Sequence, residues 1–148
     1  MFRESYTMEE WRTLQFAPIW VFTAVASADR KIDEKEAGAL AKELSEWAQF
    51  KEPLVQEVLL SVVNDVANVM AQYHTDSRGV MAGLKDVADL LDRKATQEQA
   101  KKFKGAMLLI GNNIAQASGG GIFGTGDKIS TEEKSALALI MMALRAIL

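Results

Sequence analysis

The chain has 148 residues, of which 49% are apolar and 25% are charged. This composition excludes a disordered chain and is typical of a globular protein with a buried core, so we predict one domain over residues 1–148. A formal net charge of −3 disfavours general nucleic-acid binding, because such a surface repels phosphate backbones.

The chain contains no cysteine, which rules out disulfides, thiolate metal sites and cysteine nucleophiles. Its first residues, MFRESYTMEEW, are charged and polar and lack the apolar core of a signal peptide. The longest apolar run, SALALIMMALRAIL, is too short to span a bilayer, which needs about 20 residues. We therefore expect a cytoplasmic protein whose last helix is buried on most sides, with an interfacial or partner-binding helix as the alternative.

Apolar residues recur at three- and four-residue steps along nearly the whole chain, which predicts an all-α fold. The first helix starts after Thr7. We expect a kink or break at Pro18, because proline lacks an amide donor and crowds the preceding turn. Asp33 is predicted to cap the second helix, and Pro53 to open a third that continues to Tyr73.

After a turn at residues 74–79, a fourth helix carries apolar residues from Met81 to Leu91. Thr96 and Gln99 form a capping box that opens a fifth helix. A glycine-rich loop follows, and Ser130 caps the last helix. The chain is thus predicted to be a compact bundle of six or seven helices joined by short turns.

Two bends of the chain have similar sequences. Lys31-Ile32-Asp33 and Lys128-Ile129-Ser130 can be superposed, and each has a Glu three residues after its capping residue, which suggests a pseudo-repeated helix–loop–helix. Acidic residues accompany both bends, and oxygen ligands of this kind suit a hard cation such as calcium or magnesium. Helix capping and the helix dipole are the alternative explanation for these acids. The candidate metal ligands are Asp29, Asp33, Glu36, Asp127 and Glu133.

Motifs for nucleotide binding and catalysis fail on their context. Gly119–Gly124 matches G-x-G-x-x-G, but a helix precedes it where a dinucleotide site needs a strand. Asp127 interrupts the phosphate-loop pattern, and the acidic spacing is not that of an EF-hand. His74 is the only histidine and is predicted to lie in a turn, with no apparent Ser-His-Asp partner set. We therefore expect neither an enzyme nor a small-molecule substrate.

The segment AVASADRKIDEKEAGAL resembles the TerB-like family, small all-helical domains named after tellurite-resistance proteins and related to a domain of membrane-anchored DnaJ-type co-chaperones. The family pattern is a helix ending in small residues, Ala-Asp-Gly-x-Ile-Asp/Glu, and a helix with an early Glu. Arg30 stands where the family usually has Gly, and Gly126 stands where Asp29 would recur. The matching residues are Ala28, Asp29, Ile32, Asp33 and Glu36.

The resemblance implies a helical bundle with pseudo-symmetric halves, acidic loop residues that chelate metal, and a role in stress-response or membrane-linked complexes without catalysis. Two hypotheses stay open beside cation binding. One is a protein-interaction module or homo-oligomer that uses the last helix with Ile122 and Phe123. The other, much less favoured, is an enzyme that uses the acidic bends as acid and base.

Overall fold

The computed structural model describes residues 2–26, 34–47, 50–119 and 131–146, and in these ranges all regular structure is helical. The all-α prediction is thus confirmed. The described elements are a 3-10 helix Phe2–Ser5 and seven α-helices: α1 Met8–Ala26, α2 Glu34–Trp47, α3 Pro53–Val63, α4 Val66–Thr75, α5 Val80–Lys94, α6 Gln97–Gly119 and α7 Thr131–Leu144.

Helix α1 is the centre of the bundle and packs most extensively against α5 and α6. It carries apolar residues on every side, and from Trp11 to Val25 only Arg12 and Ala24 are more than slightly accessible. A helix that is apolar all round is typically buried, and here α1 is enclosed by the other helices. One hydrophobic cluster contains residues of all seven α-helices, and its largest fully buried side chain is that of Trp20.

The break predicted as one possibility for α1 is not observed. The helix does not break at Pro18, which lies buried inside a continuous helix. Helix α1 packs against α5, α6 and α7, and such packing can compensate for the amide hydrogen bond that proline lacks.

The predicted third helix is in fact two helices, α3 and α4, which meet at 91°. Asn64 and Asp65 form the corner, and Asp65 has a non-helical backbone with φ −147° and ψ 39°. The bend places Tyr73 of α4 against Phe16 and Trp20 of α1. His74, predicted to lie in a turn, belongs to the last turn of α4.

The directions of the helices follow from side-chain contacts. Glu10, near the start of α1, bonds Lys94 at the end of α5, whereas Trp20 lies against Gly83 near the start of α5. Helices α1 and α5 therefore run antiparallel. The second copy of the predicted repeat has different neighbours from the first, because α2 packs mainly on α3 whereas α7 packs on α5, α1 and α6.

The last helix is buried on one side only, which corrects the expectation that it is buried on most sides. Ile140 and Leu144 face the core, but Leu139 is 48% exposed and Met142 is 71% exposed. Among the described helices, none is by itself long and apolar enough to cross a bilayer. Only the bent pair α3 and α4, taken together, reaches that length and apolarity.

Candidate functional site

The predicted ligands lie mostly in segments whose placement is not described. Asp29, Asp33 and Asp127 fall outside the described residues, and of Glu36 only the backbone position, in the first turn of α2, is described. Glu133 lies in the first turn of α7 and is half-buried. As predicted, α2 begins directly after Asp33, and α7 begins directly after Ser130.

Helices α1 and α6, which precede these segments, end at the same side of the bundle. Helix α6 begins three residues after α5 ends, and its Gly111 lies so close to the end of α1 that a Cβ there would be 3.1 Å from Val21 Cγ1 and 3.7 Å from Val25 Cγ2. Helices α1 and α6 therefore point in the same general direction. Beyond this contact α6 continues to Gly119, roughly 12 Å further along its axis.

The described residues form a large concave surface, which we call the charged groove. It has a volume of about 980 Å³ and lies between the start of α1, the 76–79 turn and the outer side of α5. Carboxylates outnumber guanidinium groups along it, so its formal charge is negative. The ionisable residues lining it are Glu9, Glu10, Asp76, Asp86 and Asp89 together with Arg12, Arg78 and Arg93.

Arg78 forms the floor of the charged groove. Its Nε and Nη2 donate to the two carboxylate oxygens of Asp76 at 2.9 and 2.8 Å, and its Nη1 donates to Asp86 Oδ2 and Thr13 Oγ1, both at 3.1 Å. The guanidinium carbon lies 4.9 Å from the centre of the buried Trp20 ring, a cation–π distance. Hydrogen bonds from Arg78 hold the pKa of Asp76 below its usual range. All three guanidinium nitrogens are thus occupied, and Arg78 joins the 76–79 turn to the core.

Glu10 stabilises the other end of the groove. Its carboxylate accepts hydrogen bonds from Thr7 N at 2.8 Å, Lys94 Nζ at 2.6 Å and Arg93 Nη1 at 3.3 Å. Glu10 N in turn donates to Thr7 Oγ1, so Thr7 and Glu10 form a capping box. The hydrogen bond from Lys94, followed by that from Thr7, lowers the pKa of Glu10 to about 2.

The accessible part of the groove suits a protein surface better than a metal ion. Among the described residues, no group of three or more His, Asp or Glu side chains is close enough together to hold a metal. The rim instead offers Met8, which is 70% exposed, and Arg93, whose side chain is 62% exposed. Methionine and arginine are enriched in protein–protein interfaces, so this arrangement can recognise a partner of mixed charge.

A second protein is similar in sequence to nearly the whole chain. Uncharacterized protein ORF11' of Methanothermobacter thermautotrophicus is 32% identical over 147 residues, which cover 97% of this chain and 92% of the relative. The chain belongs to the same family as ORF11'. The relative's name assigns it no activity, so family membership gives this chain no function. No protein-family model matches the chain, and no solved structure matches it.

The sequence interpretation missed the charged groove, although two local signals were present. Thr7-Met8-Glu9-Glu10 has the spacing of a capping box. Asp76-Ser77-Arg78 has the form of an Asx turn, in which Asp76 Oδ1 accepts from Arg78 N at 2.9 Å. Either signal predicts a charged residue at a helix boundary. Neither predicts which residues of other helices that charge will contact.

Proposed function

We propose that this chain is a non-catalytic TerB-like helical domain that acts by binding, with a divalent cation held by the acidic segments that follow α1 and α6. The observation that supports this is the common direction of α1 and α6. Both acidic segments therefore begin at the same end of the bundle. In the sequence these segments contain Asp29 and Asp127, which are not predicted to cap a helix. As the family resemblance implies, such a domain would serve a stress-response or membrane-linked complex.

Thermal unfolding with and without added cations tests the proposal. A cation that binds only the folded state at a hundredfold excess over Kd adds about 2.7 kcal/mol, which raises Tm by roughly 5–10 °C in a chain of this length. The measurement is made with millimolar calcium, magnesium, manganese and zinc. Sodium chloride at the same ionic strength is the control for general screening of charges.

Charge-removing variants locate the effect. Asp33→Asn removes a candidate ligand but should retain the predicted cap of α2, because Asn and Asp are comparable N-cap residues. Asp29→Asn and Asp127→Asn remove the non-capping acids. Glu9→Gln, an exposed acid at the opposite end of α1, is the control for general charge. The cation proposal fails if no cation raises Tm, or if Glu9→Gln reduces the rise as much as Asp29→Asn does.

A second candidate function is protein interaction without metal, and the outer side of α7 favours it. Ala138, Leu139 and Met142 are all exposed and lie on one helix face, at positions i, i+1 and i+4. An apolar stripe on the solvent side of a helix commonly marks a contact surface.

Sedimentation velocity over a range of protein concentrations tests self-association through this stripe. If the stripe forms a dimer, Met142→Gln weakens it. Leu60→Gln does not, because Leu60 is also exposed, at 40%, but lies on α3 and outside the stripe. A strict monomer at all concentrations would leave a different protein as the remaining partner for this face.

A further inference from the structure

A second cavity of about 500 Å³ lies where the end of α5, the first turns of α6 and the end of α7 meet. We call it the basic cleft, because it is lined by Lys101, Lys104 and Arg145 against the single carboxylate of Asp92. Its formal charge is therefore positive by two, although the protein as a whole is acidic. Such a local reversal of charge has no role in the cation proposal.

Lys104 places a buried ammonium group in the lining of the cleft. The residue is only 7% exposed, and a buried ammonium is costly unless acceptors surround it. An ammonium has three N–H donors, yet Lys104 Nζ has one acceptor among the described residues, Asp92 Oδ1 at 2.9 Å. That carboxylate is shared, because Asp92 Oδ2 accepts from Arg145 Nη2 at 2.7 Å. One carboxylate thus serves two cations, and Lys104 keeps donors for a further acceptor.

The other groups around the cleft favour the same kind of ligand. Arg145 has a second carboxylate partner, Asp89 at 3.0 Å, but Asp89 lies on the charged groove and does not line the cleft. Lys101 is exposed at the cleft wall and has no carboxylate partner among the described residues. The rest of the lining combines the apolar side chains of Leu91, Ala95 and Ala100 with the polar residues Thr96 and Gln97.

We propose that the basic cleft binds the phosphate group of a small molecule, with its oxygens accepting hydrogen bonds from Lys101, Lys104 and Arg145. A phosphate monoester carries a charge near −2 and therefore suits a lining in which cations outnumber carboxylates. The volume is within the range of small-molecule sites and exceeds what a bare phosphate needs, so an organic group fits against the apolar side chains of the lining. The overall negative charge of the chain disfavours a nucleic acid as the source of the phosphate.

Isothermal titration calorimetry with two probes tests this proposal. Inorganic phosphate and 5′-AMP are titrated into the intact protein, with EDTA present so that cation binding does not contribute, and with sodium chloride at matched ionic strength as the blank. Saturable binding of either probe is expected. Tighter binding of 5′-AMP would assign the site to an organic phosphate, and equal affinity would assign it to free phosphate.

Two adjacent lysines provide a matched pair of variants. Lys101 lines the cleft, whereas Lys102 does not and instead pairs with Glu98 at 3.1 Å. Lys101→Gln removes one charge-assisted hydrogen bond and is expected to raise Kd about tenfold. Lys102→Gln should leave Kd within about twofold, since an exposed charge outside the site contributes little. Both positions are exposed, so both variants should fold.

Two results would overturn the assignment. One is equal weakening by Lys101→Gln and Lys102→Gln, which would mean general attraction of anions to the surface. The other is a heat that follows ionic strength alone without saturation, which would leave Lys104, Asp92 and Arg145 as a purely structural tie between helices. Neither result bears on the cation proposal, because the cation measurement is independent and uses different residues.

Discussion

Replacing Gly83 with alanine should destabilise the protein through one crowded contact. Gly83 lies on α5 directly against the indole of Trp20, and a Cβ there would overlap the Cε2 and Cζ2 atoms of that ring. The ring has little room to move. Phe16 packs edge-on with ring centres 5.5 Å apart, Tyr73 lies at 6.2 Å, and the Arg78 guanidinium covers it at 4.9 Å.

The size of the effect follows from two opposing contributions. Forcing an extra carbon into a packed core costs about 1–3 kcal/mol, and the rigid surroundings of Trp20 put this contact at the upper end. Alanine is better than glycine inside a helix by about 1 kcal/mol. The net loss should be about 2 kcal/mol, which lowers Tm by roughly 4–8 °C.

Gly105→Ala is the matched control. Gly105 is also inside a helix, α6, but a Cβ there meets nothing within 4 Å. This variant should therefore stabilise the protein by about 0.5–1 kcal/mol through helix propensity alone. Urea unfolding followed by circular dichroism measures both variants, and equal m-values would show that the comparison is of stability. If Gly83→Ala were as stable as Gly105→Ala, the packing of α1 against α5 described above would be wrong.

Two further predictions concern charged contacts. The pKa of Glu10 is about 2 in the folded state against 4.5 ordinarily, so its stabilisation is full above pH 4.5 and is lost as the pH falls through about 2. For this solvent-screened carboxylate the loss should be at most about 1 kcal/mol, and Glu10→Gln, which keeps the capping box, should flatten the pH dependence of urea unfolding over that range. An unchanged slope would contradict the Lys94 pairing. Arg145 has φ 53°, so Arg145→Gly, which relieves that strain, should be more stable than Arg145→Ala by about 1 kcal/mol, although both lose the ion pairs with Asp89 and Asp92. Equal unfolding midpoints of these two variants would refute the strain.

The spacing of apolar residues was sufficient to predict the all-α fold class, because apolar residues three or four positions apart lie on one side of a helix. It failed at the corner between α3 and α4. Val62, Val66 and Met70 continue the spacing through Asn64-Asp65, so one long helix and two bent helices give the same pattern. What separates them is the gain from packing Tyr73 on α1, a contact between residues far apart in the chain. Periodicity contains no information on such contacts.

The charged groove was beyond prediction for the same reason. Arg78 bonds Thr13 across 65 positions, and Lys94 bonds Glu10 across 84. Each charge could equally have been a solvated surface residue, and only the fold makes them partners. The capping box of Thr96 and Gln99 is the contrasting case, because both of its bonds are local, and the structure confirms both at 2.9 and 3.1 Å.

The orientation of α7 depends both on the local sequence pattern and on contacts between residues far apart in the chain. Its apolar residues form two stripes, one with Ile140 and Leu144 and the other with Leu139 and Met142, so hydrophobicity alone does not decide which stripe faces the core. At the C-terminal end, Arg145 bonds carboxylates of α5 and favours one rotation of the helix. That rotation leaves the second stripe in solvent. Arg145 therefore has two roles: it lines the basic cleft, and its ion pairs with α5 favour the rotation of α7 that leaves the apolar stripe exposed.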